Sequence, residues 1–330
     1  MTRQQKRTLE RQQAKERARL ERLARKADLP VTFDNRSVTS CGGFGLLEGF
    51  KRVIGFSELL RRYFTVRRHH NCRYTSAGLV DLLVDSVALG LLRFEHMQAL
   101  KFNPGYQTLK GLDQVPDERT LRYFLGGLSL EEVAKFRALN QALLQLKSWL
   151  EPPREVWLDL DDTVMTVFGA QEGAEVGYNP RYRGRLSYKA KVAFIAGSGE
   201  LLNADLCGGS TASNSGFLEF FQRTVAMVGP RVVVKGVRLD KGFCDEKNFN
   251  YLEDNTLLYV CKVPLKANIR KIIAYLDEQR AWRRLDDTYA VAEITVPLPS
   301  WERARRFVLV RETLKIEADT RQTVMEFKDL

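Results

Sequence analysis

Apolar residues follow two different rhythms along this chain, and the change of rhythm divides it. Up to Leu150 they recur every three or four positions in four runs: Leu46 to Phe64, Thr75 to Phe94, Asp117 to Leu125, and Leu130 to Leu150. That spacing lines one face of a helix, so the pattern predicts four helices. Asp117-Glu118 opens the third, and Ser129-Leu130-Glu131-Glu132 gives the fourth an N-cap with acids in its first turn. A glycine turn, Cys41-Gly42-Gly43-Phe44-Gly45, precedes the first run. Arg67-Arg68-His69-His70 reads as an exposed basic turn, and no third ligand is spaced to join its two histidines. Pro152-Pro153 closes the helical part and marks a boundary.

Beyond it the runs shorten, alternate and are punctuated by glycine, which predicts strands. Glu155 to Phe168 is the first, followed by a Gly- and Tyr-rich loop, Gly169 to Arg185. Strands follow at Ser187 to Ala196 and Leu201 to Cys207, and then a helix from Asn214 to Val228, capped by Ser213 or Asn214 and ended by Gly229-Pro230. A strand (Arg231 to Leu239), a short helix (Asp245 to Glu253) and a strand (Thr256 to Val263) complete the order β-β-β-α-β-α-β. Lys266 to Ala281 then reads as a basic helix, with strands around Tyr289 to Val296 and Arg306 to Arg311. The expected organisation is a basic helical arm over 1–27, an all-helical domain over 28–151, an α/β core over 152–263 and a β-rich insertion over 264–330.

Charge changes the picture in two places. The whole chain carries a net charge of +11, and residues 1–27 alone hold ten Lys or Arg against three Glu. Such an excess suits a polyanion, nucleic acid first, although a solvated terminal helix has the same composition. The second place is the first strand, Glu155-Val-Trp-Leu-Asp-Leu-Asp-Asp-Thr163. Side chains alternate along a strand, so Trp157, Asp159 and Asp161 share one face, and Leu158, Leu160 and Asp162 the other. Carboxylates inside an apolar strand are costly unless something pairs with them. A hard divalent cation, magnesium or manganese, is the simplest partner; aspartates at a strand end are the alternative. The five cysteines are scattered without a CxxC pair, which argues for a reducing compartment and against structural zinc. No signal peptide is visible, and the most apolar segment, Gly78 to Phe94, contains Asp81 and Asp85, so a soluble, cytoplasmic protein with no membrane span is expected.

Three meandering strands, a crossover helix, and acids on the first strand and after the fourth resemble an RNase H-like mixed-sheet core. LDLDDT, Gly169-Ala170-Gln171-Glu172-Gly173, Gly177-Tyr178-Asn179 and Arg238-Leu239-Asp240-Lys241-Gly242-Phe243 together resemble the DDE transposases of bacterial insertion sequences. The most similar group is the one numbered thirteen-eighty, related to the group numbered four. That resemblance implies metal-dependent cleavage and transfer of DNA strands in transposition, and a homodimer on double-stranded DNA. It implies two magnesium or manganese ions held by Asp161, with Thr163 completing D-x-T, and by Asp240 in D-x-G-F; Asp159 is the fallback ligand. Arg181, Arg183, Arg185 and Lys241 are then expected at DNA, with Tyr178 or Tyr182 stacking on a base. The family's third carboxylate, a glutamate in a pattern like Y-x-x-R-x-x-x-E, has no counterpart between Val263 and Leu330, and Glu326 lacks the preceding Tyr and Arg. A chain truncated before the last core helix is therefore expected. Two other readings stay open: a non-catalytic DNA-binding fragment that represses transposition, and a haloacid-dehalogenase-like phosphatase with Asp159 as nucleophile and Asp161 as acid.

Overall fold

A computed structural model describes residues 41–66 and 68–313, with Arg11, Ala14 and Lys15 as isolated positions. The rest of the expected basic arm, Arg67, and the end of the expected insertion lie outside the described residues. The chain forms two compact units that divide between Arg238 and Leu239.

The first unit begins with α1 (Phe44–Val53) and α2 (Phe56–Tyr63). The pattern predicted one helix here. Gly55 breaks it at φ 66°, a left-handed conformation that suits glycine and starts the second helix on a new axis. Next comes α3 (Ser76–Ala88), whose cap Thr75 accepts the Gly78 N–H. The apolar spacing that continued to Phe94 resumes as a separate 3-10 turn, Phe94–Met97. Two short helices, α4 (Gln98–Lys101) and α5 (Pro104–Lys110), fall outside the predicted periods. Asn103 caps α5 and Pro104 supplies its first turn, where a missing N–H is harmless. The last two helices follow expectation. Asp117 caps α6 (Glu118–Gly126), and Ser129 with Glu132 forms a reciprocal capping box on α7 (Leu130–Leu150). Phe44, Leu60, Leu79, Leu100, Tyr106 and Leu121 are the buried centre of this helical part.

The same unit carries a sheet built from β1 (Arg154–Thr166), β2 (Glu175–Val176), β3 (Leu186–Ile195), β4 (Leu201–Gly208) and β5 (Val232–Leu239), the last ending one residue past the division. β1 pairs antiparallel with β3, with Asp162 opposite Lys191, and β3 pairs antiparallel with β4. β2 shares the same edge of β3 as β4 but meets only its first two residues. β5 adjoins β1 on the other side. It runs in the same direction: Arg154 N–H bonds the Arg231 carbonyl near both starts, and Arg238 meets Asp159 further along both. The sheet is therefore mixed. Its antiparallel meander is incompatible with the phosphatase reading, which needs parallel strands alternating with helices.

The helix α8 (Phe217–Met227) joins β4 to β5 and buries Phe217, Phe220, Phe221 and Thr224. It starts after Gly216 at φ 63°, without a side-chain cap, and not at the expected Ser213 or Asn214. Those residues belong to a loop that is held from below by β3 lysines. α7 is tied to the far edge of the sheet, where Arg137 donates to Asn203 and Asp205 and Asn140 donates to the Leu201 carbonyl.

The second unit contains α9 (Glu246–Asp254), β6 (Leu258–Cys261), α10 (Ala267–Glu278) and an antiparallel sheet of β7 (Arg283–Arg284), β8 (Tyr289–Val296) and β9 (Arg305–Glu312). Ile269, Leu298 and Phe307 form its core, with Trp301 against it. Buried Arg305 clamps the start of β9 to α9 by donating to Glu246, Asn250 and Glu253. No described helix of either unit is long and apolar enough to cross a membrane.

Candidate metal and DNA-contact residues

Alternation along β1 decides which of its carboxylates is available. Val156, Leu158 and Leu160 are buried. Asp162 continues that face, so burial pushes its carboxyl above the usual carboxylate range, opposed by Ser213 and by Lys191 and Lys189. Both lysines are themselves buried, and each also donates to a carbonyl of the covering loop, Lys189 to Thr211 and Lys191 to Ser215, both at 2.6 Å. Asp162 thus lies in the field of the lysines that hold residues 211–215 in place, while among the described residues neither of its oxygens accepts a hydrogen bond.

The opposite face carries Asp159 and Asp161. Arg238 grips both oxygens of Asp159, one from Nε and one from Nη2, and that carboxylate holds the guanidinium pKa above its ordinary value. Asp161 is exposed and accepts the Asp162 backbone N–H at 2.8 Å. Of the two, Asp161 is the one with oxygen lone pairs open to a cation.

The loop after β1 is far more ordered than its glycine content suggests. Gly177 runs so close to the 209–210 backbone that a Cβ there would lie 1.8 Å from the Gly209 carbonyl oxygen. Glu175 accepts the Ser210 hydroxyl beside it. Asn179 is 4 % exposed; its amide donates to Thr166 Oγ1 at 2.8 Å, and its oxygen accepts the N–H groups of Arg181 and Tyr182 at 3.2 and 3.0 Å. A tight turn follows, Arg185 N–H to the Tyr182 carbonyl, with Gly184 at φ 74°. Arg181, Arg183 and Arg185 are all exposed along it, as is Tyr178 before it.

In the second unit, Asp240 directly follows β5 and is half-buried, with Lys262 Nζ 3.9 Å away. Its carbonyl accepts the Phe243 N–H at 3.0 Å and the Cys261 thiol at 3.6 Å, which fixes the turn of D-x-G-F. Lys241 is exposed one residue on.

The sequence reading missed three residues that shape these sites. Asn179 anchors the arginine turn, Arg238 occupies Asp159, and Phe168 packs edge-on against Tyr182 with centroids 5.5 Å apart. Asn after Gly-Tyr was a usable turn signal. The Arg238–Asp159 pair, 79 residues apart in sequence, had none.

Asp161 in the first unit and Asp240 in the second each offer oxygen donors of the kind a hard divalent ion takes. Among the described residues no group of three His, Cys, Asp or Glu side chains converges.

The sequence matches the family described as transposase DDE domain group 1 over residues 21–330. The chain belongs to this family of DDE transposases. No curated protein matches it. Among solved structures it is similar to piggyBac transposase, seen in a synaptic complex with hairpin DNA. That likeness has 14 % identity and a TM-score of 0.33, and covers 81 % of this chain and 52 % of the other. The chain spans about half the length of that transposase.

Proposed function

We propose that this protein is the transposase of a bacterial insertion sequence, which binds double-stranded DNA and cuts and rejoins its strands with divalent cations. The observation that carries the reading is the family match, which runs through both the D-x-T of β1 and the D-x-G-F after β5. The meander β1–β3–β4, the crossover α8 and the adjoining β5 support an RNase H-like core.

Asp161 and Asp240 would hold the metal, and magnesium or manganese suits their oxygens. When bound, such ions activate water or a 3′-hydroxyl and stabilise the leaving oxygen. The chain's own part is positioning. β1 fixes Asp161 on a paired strand, and Arg238 keeps Asp159 occupied beside it. Arg181, Arg183 and Arg185 neutralise phosphates along the DNA, with Lys241 as a further contact. Joining two element ends calls for two copies, so the working form is a dimer on DNA in the bacterial cytoplasm.

Manganese titration of the full chain, followed by electron paramagnetic resonance, tests the site. Asp161→Asn and Asp240→Asn should each weaken manganese binding while DNA affinity stays within about two-fold. Equal manganese affinity in both variants and the wild type would remove these residues from the site. DNA binding without any metal-dependent cutting would favour the non-catalytic repressor reading.

A further inference from the structure

Three aromatic rings on or near the arginine turn lie open to solvent. Phe168 is 66 % exposed, Tyr178 75 % and Tyr182 48 %. Large aromatic side chains usually bury most of their surface, and a scattered exposed one needs no explanation. These are not scattered. Phe168, just after β1, touches Tyr182 edge to face, and Tyr182 lies between Arg181 and Arg183 on the tight turn that ends at Arg185. No carboxylate pairs with any of the three arginines among the described residues.

The turn is held in advance of any partner. Asn179 ties it to Thr166 at the end of β1, and the close pass of Gly177 ties its base to the 209–210 backbone. A rigid, cationic, aromatic surface loses little conformational freedom on binding. Its charge selects a polyanion, while its rings select a flat apolar partner.

We propose that Phe168 and Tyr182 form a stacking platform for unpaired DNA bases, and that the three arginines hold the phosphates of that same strand. This rests on the DNA-binding reading above and adds to it the form of DNA that this surface takes. In an intact duplex the base faces are covered by their neighbours, so exposed rings gain nothing from it. An unpaired strand offers both parts at once: base faces for the rings and closely spaced phosphates for the turn. The platform therefore favours a frayed or single-stranded end over a blunt duplex.

The test is fluorescence anisotropy of the full chain on three labelled DNA oligonucleotides of one sequence: single-stranded, blunt duplex, and duplex with a short 3′ overhang. A single-stranded RNA of the same sequence serves as competitor. The wild type should bind the overhang and the single strand more tightly than the blunt duplex. Phe168→Ala and Tyr182→Ala should each lose about 5- to 150-fold on unpaired DNA and less than about two-fold on the blunt duplex. Tyr182→Trp, which keeps a ring, should restore binding to unpaired DNA, which separates stacking from a folding defect. Equal losses on paired and unpaired DNA, or none, would overturn the platform while leaving the DNA-binding reading intact. Stronger binding of RNA than of single-stranded DNA would overturn the choice of ligand. Failure of the wild type to bind any of the DNAs would remove both.

Discussion

Lys51→Met should destabilise the first unit more than any surface substitution, and the reason is a charged network in its helical core. Lys51 Nζ donates to Glu48 at 2.8 Å and to Asp85 at 2.6 Å, and also pairs with Asp81. Lys110 reaches the same three carboxylates, with Glu48 and Asp85 both at 3.0 Å. Tyr106 donates its hydroxyl to Asp85, which is 0 % exposed. Two ammonium groups face three carboxylates, a net charge of −1 (2 − 3). Methionine conserves the length of the side chain and removes the charge, which leaves −2 (1 − 3). Removing one partner from a buried ionic group costs about 3–5 kcal/mol, because the other charges stay buried. For a unit of this size that is roughly 6–20 °C in Tm.

The pH dependence separates this mechanism from a simple packing loss. Burial raises the Asp85 carboxyl above its ordinary value, against the opposing pull of Lys51 and Lys110. A carboxyl raised in the folded state contributes fully below its ordinary pKa, and its contribution is lost as pH rises through the raised one. Without Lys51 the carboxyl rises further, so the deficit should be largest near about pH 7 and narrow towards about pH 5. For Lys51 itself burial acts downward, but Asp81, Asp85 and Glu48 outweigh it and hold the ammonium well above its usual value. It therefore stays charged throughout that range. Thermal unfolding followed by circular dichroism at both pH values reads the effect. The double variant Lys51→Met/Asp85→Leu returns the network to −1 and should be less destabilised than Lys51→Met alone. A single variant within about 2 °C of wild type, or a deficit that does not change with pH, would refute the argument.

Other substitutions test the DNA-contact and metal residues. Changing Arg181, Arg183 and Arg185 together to Gln should make the slope of log binding constant against log salt shallower by about 3, near 0.9 for each phosphate no longer neutralised; an unchanged slope would show that they are a solvated loop. Gly177→Ala should cost about 1–3 kcal/mol in thermal unfolding, since its Cβ would meet the Gly209 carbonyl at 1.8 Å and the loop must shift. Arg238→Gln releases the Asp159 carboxylate on the face of Asp161, so manganese should bind more tightly by calorimetry. An unaltered isotherm would contradict the view that Arg238 keeps Asp159 out of the site.

Much of this architecture was legible because single residues forced it. Alternation through Leu158 and Leu160 separated Asp161 from the buried face of β1, and Ser129 with Glu132 fixed the start of α7. What stayed hidden depended on partners distant in sequence. Asp81 and Asp85 were visible only as charges that argued against a membrane span. Their partners Lys51 and Lys110 come from other helices, and no local pattern could join them. The start of α8 was misread for a similar reason. Ser213 looked like a cap, but it lies in the loop whose Ser215 carbonyl Lys191 holds, and the helix begins later, after Gly216. A tolerated glycine hid the break at Gly55, since apolar spacing continues across it.

The most direct test of the central claim is strand nicking of supercoiled plasmid carrying the DNA that flanks this coding sequence, measured with and without manganese. The account predicts nicking that requires the metal and is lost in Asp161→Asn, although that variant still binds the plasmid. Metal-dependent nicking that persists undiminished in Asp161→Asn and Asp240→Asn would contradict it.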